Sequence, residues 1–422
     1  MESYTISWIF FTRAFTVRSL CLFFLFFLFS SYVVTGQTTK DSLGSVSQMP
    51  AAMQKSFFEI GVGYVGYPFS EKQLQPGYTM ESVLVRHPAV RLVLLGYEIT
   101  PYLHAQVTYM RPIWWVKYSF RNNSIPNDGA ETRTVWMNVA SATLKPVVSL
   151  SDRISLNAEG GLGVVTRHGI RDKNNNIVVK DLSFATITAG AGIAYSFDEK
   201  CAVTMQVGHT FPAKGYDQPP VTYAGAGFRY SFAPFDEDKL QKTRKEGRIF
   251  PKQWISLSYS TNSFGYGVNE FFKSIYLFWG GAAQVDYGFM ASYQRNLFNG
   301  PKIFSFDVGS NVAYWKTNAM KENLFAFSLY PVFRFNFLHN KLFDPYFFYI
   351  LGGPTYLSQS YIDGNDTGKR FTFYDALGIG AFFGKERVLN AELRIAHYSN
   401  GNIFPMNCGV KIPLTFSFGY SF

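Results

Sequence analysis

Val221-Thr222-Tyr223-Ala224-Gly225-Ala226-Gly227-Phe228-Arg229-Tyr230-Ser231-Phe232 is a strand written residue by residue. Successive side chains of a strand point to opposite faces. Val221, Tyr223, Gly225, Gly227, Arg229 and Ser231 therefore share one side, and Thr222, Ala224, Ala226, Phe228, Tyr230 and Phe232 the other. Just upstream, Ile187, Ala189, Ala191, Ile193, Tyr195 and Phe197 make an apolar face with Thr188, Gly190, Gly192 and Ser196 opposite. Working outward, the same period predicts strands at 56–66, 89–97, 101–110, 133–148, 153–167, 182–197, 201–211 and 221–232.

The connections divide into two kinds. Those around Glu98–Thr100, Leu150–Asp152 and Asp198–Lys200 are short, whereas 68–88, 111–132, 168–181 and 212–220 are long and polar. Short turns on one side and long loops on the other characterise a barrel of the outer-membrane type, and a soluble sandwich has no need of that segregation. Residues 233–252 then turn charged (Asp236, Glu237, Asp238, Lys239, Lys242, Arg244, Lys245, Glu246, Arg248) and read as a solvated linker with room for one short helix. The pattern resumes at 253–261, 275–294 with a kink at Gly280-Gly281, 302–315, 324–336, 342–357, 370–383, 387–399 and 409–422. Each half ends in Tyr-Ser-Phe, at 230–232 and 420–422. A terminal aromatic strand ending in Phe resembles the signal read by the barrel assembly machinery, so Phe422 is its expected contact. Two such endings favour two rings over one of sixteen strands, which would enclose an aqueous pore. An even strand number puts the ends of each ring, and the linker, on the periplasmic side.

Composition supports this reading. Only 16% of residues are charged, against about 25% in ordinary soluble domains, and 18% are aromatic, too many for disorder. The net charge of +10 is compatible with an anionic surface. No zinc-finger spacing, basic helix or RNP-like pattern accompanies it, which leaves a membrane and no nucleic acid. Arg13 and Arg18, the apolar run 20–29 and Val34-Thr35-Gly36 read as a secretory signal peptide with cleavage near Gly36–Gln37. No later apolar run reaches the roughly 18 residues of a membrane helix. Cys21 falls in the leader, and Cys201 and Cys408 read as unpaired thiols. The expected chain is all-β: a signal peptide (1–36), an extension (37–55), an eight-stranded barrel (56–232), a periplasmic linker (233–252) and a second eight-stranded barrel (253–422), two tandem antiparallel transmembrane β-barrels in the bacterial outer membrane.

One constellation suggests chemistry. In 389–399 the odd positions Leu389, Ala391, Leu393, Ile395, His397 and Ser399 form the lipid-facing set, and Asn390, Glu392, Arg394, Ala396 and Tyr398 the luminal one. His397 and Ser399 thus continue an apolar face near the extracellular end, where a polar pair costs desolvation free energy unless it is used or lies at the interface. A His beside a Ser is the minimal arrangement for attack on an ester, although most such pairs arise by accident.

Arg394-Ile395-Ala396-His397-Tyr398-Ser399-Asn400-Gly401, followed by Pro405-Met406-Asn407-Cys408-Gly409, resembles the lipid A deacylase (acyloxyacyl hydrolase-like) family of eight-stranded outer-membrane barrels. That family carries His-x-Ser-Asn and then Asn-x-Gly-x-Glu. The resemblance covers about the last 170 residues and implies a carboxylic ester hydrolase acting on lipid A in lipopolysaccharide, without metal or other cofactor. It makes Ser399 the nucleophile, His397 the general base and Asn407 a contributor to the oxyanion site, with Asn400 positioning substrate. The family's Glu falls at Lys411, and a cation cannot accept the imidazole N–H. The apolar even positions of the last strand (Val410, Ile412, Leu414, Phe416, Phe418) point Lys411 to the lumen.

Asp375 is the candidate replacement acid. It alone interrupts the face Phe371, Phe373, Leu377, Ile379, Ala381, Phe383, and a three-residue turn at 384–386 sets it opposite Ile395, a diagonal step of about 7–8 Å from His397. Glu392 has the wrong parity. His87, His104, His168, His209 and His339 show no metal-ligand spacing, Gly160–Gly163 precedes no phosphate-binding helix, and Asp363–Asp366 reads as a polar surface loop. The leading expectation is a lipid A deacylase. Its rivals are a scaffold that lost activity with the Glu, and a sixteen-stranded pore.

Overall fold

The computed structural model describes residues 44–422 apart from 126–128, 213, 214, 216, 275–279 and 341. The signal-peptide reading of 1–36 lies outside the described residues.

The period-two segments form strands. β1 (Ser56–Gly66), β2 (Pro88–Thr100), β3 (Leu103–Pro112), β4 (Glu131–Ser149), β5 (Ile154–His168), β6 (Leu182–Ser196), β7 (Cys201–Thr210) and β8 (Val221–Ser231) each pair antiparallel with the next. The ring closes where β1 meets β8, with Phe58 opposite Tyr230. β9 (Gln253–Thr261), β10 (Ala283–Asn299), β11 (Phe304–Thr317), β12 (Asn323–Asn336), β13 (Phe343–Leu357), β14 (Phe371–Phe383), β15 (Leu389–Ser399) and β16 (Val410–Ser421) form a second ring, closed by Leu257 opposite Phe418. The structure is thus two closed eight-stranded antiparallel barrels. Each first strand is paired by the last strand of its own half, so the sixteen-stranded pore does not form.

Both barrels are polar inside and apolar outside, the reverse of a soluble fold and the arrangement lipid requires. Leu162, Ile187, Leu257 and Phe418 stand exposed on the outer walls. Inside the first barrel, Arg91 donates to both carboxylate oxygens of Glu159 at 3.0 Å and to Gln206 Oε1 at 2.9 Å. Inside the second, Arg334 donates to Asp307 at 2.8 and 3.0 Å, and Tyr346 Oη to Glu392 at 2.7 Å. Asp307 and Arg334 are sealed, at 0% and 1% exposure. Replacing Asp307 by Ala strands that guanidinium and is expected to destabilise the second barrel by about 3–5 kcal/mol. The check is the urea midpoint of its heat-modifiable gel band; an unchanged midpoint would show that the pair contributes nothing.

The long loops of the first barrel are not irregular, contrary to their polar reading. Tyr78–Leu84 and Val116–Asn122 pair with each other, and the latter pairs with the outer end of β4 (Val116 opposite Val135). Ile170–Arg171 and Ile177–Val179 make a further hairpin. Val116, Tyr118, Phe120, Val178 and Val179 pack with Tyr67 and Phe69 into an apolar core above the rim.

The linker is also more than a solvated tether. Asp236 caps α1 (Glu237–Lys245) by accepting from the N–H groups of Asp238 (3.0 Å) and Lys239 (3.3 Å), and acidic and basic residues fall at the ends the helix dipole favours. Leu240 is wholly buried against Val46 and Phe250, and Arg244 Nε donates to Val46 O at 3.0 Å. Ser47 N–H donates to Asn299 O at 3.0 Å, which fastens the segment before β1 to the β10–β11 turn of the second barrel.

The strand expected at 275–294 starts only at Ala283. Before it, Gly267–Ser274 form α2, and 275–279 are outside the described residues. The Phe-rich run from Phe271 onward has strand composition, but Glu270 and Lys273 pair at i,i+3 (3.1 Å), a spacing only a helix brings together.

Candidate active site

Asn400–Gly409 is the loop from β15 to β16, at the end of the barrel opposite the C-terminus. β14, β15 and β16 lie side by side, and their register puts Asp375, His397 and Lys411 in one row across the outer face. Two of these placements correct the sequence reading.

The first concerns Asp375. Phe383 pairs with Leu389, so the connection holds five residues, not three. Gly384 (φ 84°) and Arg387 (φ 56°) make it, and Arg387 braces it by donating to Asp344 at 2.6 and 2.9 Å. The two extra residues slide the register by two, which preserves facing and sets Asp375 directly opposite His397. Asp375 Oδ2 lies 3.7 Å from His397 Nε2, and its Oδ1 accepts the Gly352 N–H at 2.6 Å.

The second concerns Lys411. Arg394 pairs with Thr415 but Ala396 with Ile412, so β16 carries one extra residue there. This bulge at Pro413-Leu414 includes a residue with no N–H to offer the ladder. It reverses facing: beyond it Val410 and Ile412 turn into the luminal core, and Lys411 turns outward beside His397. Lys411 Nζ pairs there with Glu270 of α2 at 2.6 Å.

α2 lies against this wall. Asn269 Nδ2 donates to Ile412 O at 3.0 Å, and Phe272 packs on Leu377 and Ile395, each two residues along its strand from Asp375 and His397. His397 therefore faces outward and yet is only 4% exposed. Glu392 points inward to Tyr346 and Arg394.

Ser399 sits one same-face step beyond His397, about 7 Å along the backbone. Its Oγ accepts from Asn407 Nδ2 at 3.0 Å and from the Gly401 N–H at 3.3 Å. Asn407 Oδ1 accepts the Asn400 N–H at 3.0 Å, and its Nδ2 also donates to Asn402 Oδ1 at 2.7 Å. Asn400 itself is buried, and its amide donates to Thr367 O (3.0 Å) and Met406 O (2.6 Å), so it braces the loop from within. His397, Ser399, Asp375, Asn400 and Asn407 are thus brought together at one end of one wall.

Gly401 and Asn402, which sequence reasoning passed over, complete the loop with left-handed φ of 62° and 57°. The run Asn400-Gly401-Asn402 carried the signal, since Gly and Asn tolerate that conformation best. Chemically, a hydroxyl with two converging N–H donors, an imidazole on the same face and a carboxylate opposite the imidazole can support acyl transfer from an ester.

No curated protein matches the chain. Among solved structures, the outer-membrane enzyme PagL aligns over 40% of this chain and 99% of its own, at 15% identity and a TM-score of 0.29. The N-terminal barrel domain of Pseudomonas aeruginosa OprF aligns over 42% and 98%, at 13% identity and 0.27. Neisserial surface protein A aligns over 42% and 97%, at 12% identity and 0.27. The chain is a bacterial outer-membrane protein of two barrels, and its second barrel, from residue 254 to 421, matches the family model of lipid A 3-O-deacylase (PagL).

Proposed function

We propose that the second barrel hydrolyses an ester-linked acyl chain of lipid A, and from the matched family's description that the 3-O-linked chain is the one removed. The observation that carries this reading is the row of Asp375 and His397 with Ser399 one step beyond, on a wall that meets lipid at the extracellular end. His397 takes the Ser399 proton as Oγ attacks the acyl carbonyl. The Asn407 amide and the Gly401 N–H, which hold Oγ at rest, are the donors beside the oxyanion as it forms, and Asp375 orients the imidazole and offsets its positive charge. Collapse breaks the ester C–O bond, and the departing sugar hydroxyl takes the proton from His397. Water, deprotonated by the same imidazole, then attacks the acyl-serine; the Oγ–acyl bond breaks, Ser399 Oγ takes the proton back from His397, and the fatty acid leaves. Phe422, at the end of the closing strand, is in this reading the contact for the barrel assembly machinery.

The test is to incubate the folded protein in detergent or vesicles with lipid A and measure released fatty acid by mass spectrometry. Release that disappears with Ser399→Ala supports the reading. No release from protein shown to be folded by heat-modifiable mobility would sink it and favour the inactive scaffold, with Lys411 in place of the family's Glu as the first suspect.

A further inference from the structure

The first barrel holds none of the catalytic side chains, and its outer wall suggests a role for it. On β5 the even positions face outward: Leu156, Ala158, Leu162 and Val164 run along an apolar stripe, and the stripe ends in Thr166. Thr166 is nevertheless almost wholly buried, at 1% exposure. What touches it is the second barrel's Asn400–Gly409 loop: Thr166 Oγ1 donates to Ile403 O at 2.7 Å. Ser183, the cross-strand partner of Thr166 on β6, brings a second hydroxyl within 3.4 Å of the same carbonyl. On β3, outward-facing Tyr109 lies beside Asn402.

Asn402 accepts from the Asn407 amide that donates to Ser399 Oγ, and Ile403 N–H closes the turn on Asn400 O at 3.1 Å. We propose that the first barrel is the positioning partner of the catalytic loop. Thr166, Ser183 and Tyr109 hold Ile403 and Asn402, and through Asn402 they fix the amide of Asn407 against Ser399. These three are positioning residues that act through Asn402 and Asn407 and touch no substrate. Three hydroxyl side chains gathered at one loop on a wall otherwise built for lipid are otherwise unexplained, and Thr166 among them is buried, which an outer wall gains nothing from unless the group has a partner.

The proposal rests on the deacylase reading, and the test separates the two. In the full chain, Thr166→Val with Ser183→Ala removes both hydroxyls from a wall that accepts apolar side chains, so the barrel should still close. Hydrogen exchange at the Asn400 and Gly401 amides is followed together with kcat and KM for lipid A release. A lost hydrogen bond of ordinary strength predicts exchange faster by about five- to tenfold and kcat lower by a similar factor, with KM unchanged. Thr166→Ser in the Ser183 background keeps the donor and should restore both. Unchanged exchange overturns the proposal, and so does faster exchange with intact kcat. If the wild-type protein shows no Ser399-dependent release, the deacylase reading and the catalytic form of this proposal fall. The exchange rates then still decide whether the wall holds the loop.

Discussion

Alanine at Ser399 is expected to abolish fatty-acid release, lowering kcat by on the order of 10⁵-fold or more, the loss typical when a serine hydrolase is deprived of its nucleophile. The substitution is mild for the fold. Ser399 is partly exposed, and Asn407, which holds its hydroxyl, keeps partners in Asn402 and the Asn400 N–H. The variant should run as a folded, heat-modifiable band and bind lipid A as before. Residual release above about one part in a hundred of the wild-type rate would show that the serine is not the nucleophile. Water activated directly by His397 would then be the alternative.

The second large effect is expected at Asp375. Asparagine there keeps an acceptor for the Gly352 N–H and removes only the negative charge facing His397 Nε2. Loss of an orienting carboxylate that steadies an imidazolium costs up to about 10⁴-fold in kcat in enzymes built this way, so a drop of about 10²–10⁴-fold with KM little changed is expected. The proper control is Lys411→Ala, which breaks the pair with Glu270 and leaves Asp375 in place. If Asp375→Asn retains activity within about threefold while Lys411→Ala loses it, the row has been misassigned and the chemistry runs through α2.

Most of the fold could be read from the sequence because outer-membrane strands repeat one simple constraint. Lipid outside and a polar lumen inside impose period two along every strand, so Val221–Phe232 and Leu389–Ser399 announce their facing with no knowledge of neighbours. What could not be read was set by single residues acting across strands. The bulge at Pro413-Leu414 reverses facing for the residues before it, and a parity count from Phe418 backward had no means of detecting the extra residue. The length of the loop at 384–388 depends on a left-handed Arg387 and its bonds to Asp344, a residue some forty positions upstream. α2 was hidden because aromatic residues favour strands locally, whereas its helix is stabilised by Asn269 and Phe272 docking on a wall far along the chain. The candidate serine and histidine were visible through motif and parity together. Gly401 and Asn402 matter through backbone geometry, which no side-chain pattern announces.

The docked linker has a consequence for how the two halves find one another. A few hydrogen bonds at Ile403 and Asn402 are far less contact than two separate proteins need for lasting association. Joined through α1, however, with Leu240 and Val46 anchoring the join, the halves meet as an intramolecular event, at effective concentrations in the millimolar range for short tethers. The covalent connection thus replaces a large interface, and every loop of the second barrel comes with its own first barrel, whatever else crowds the membrane.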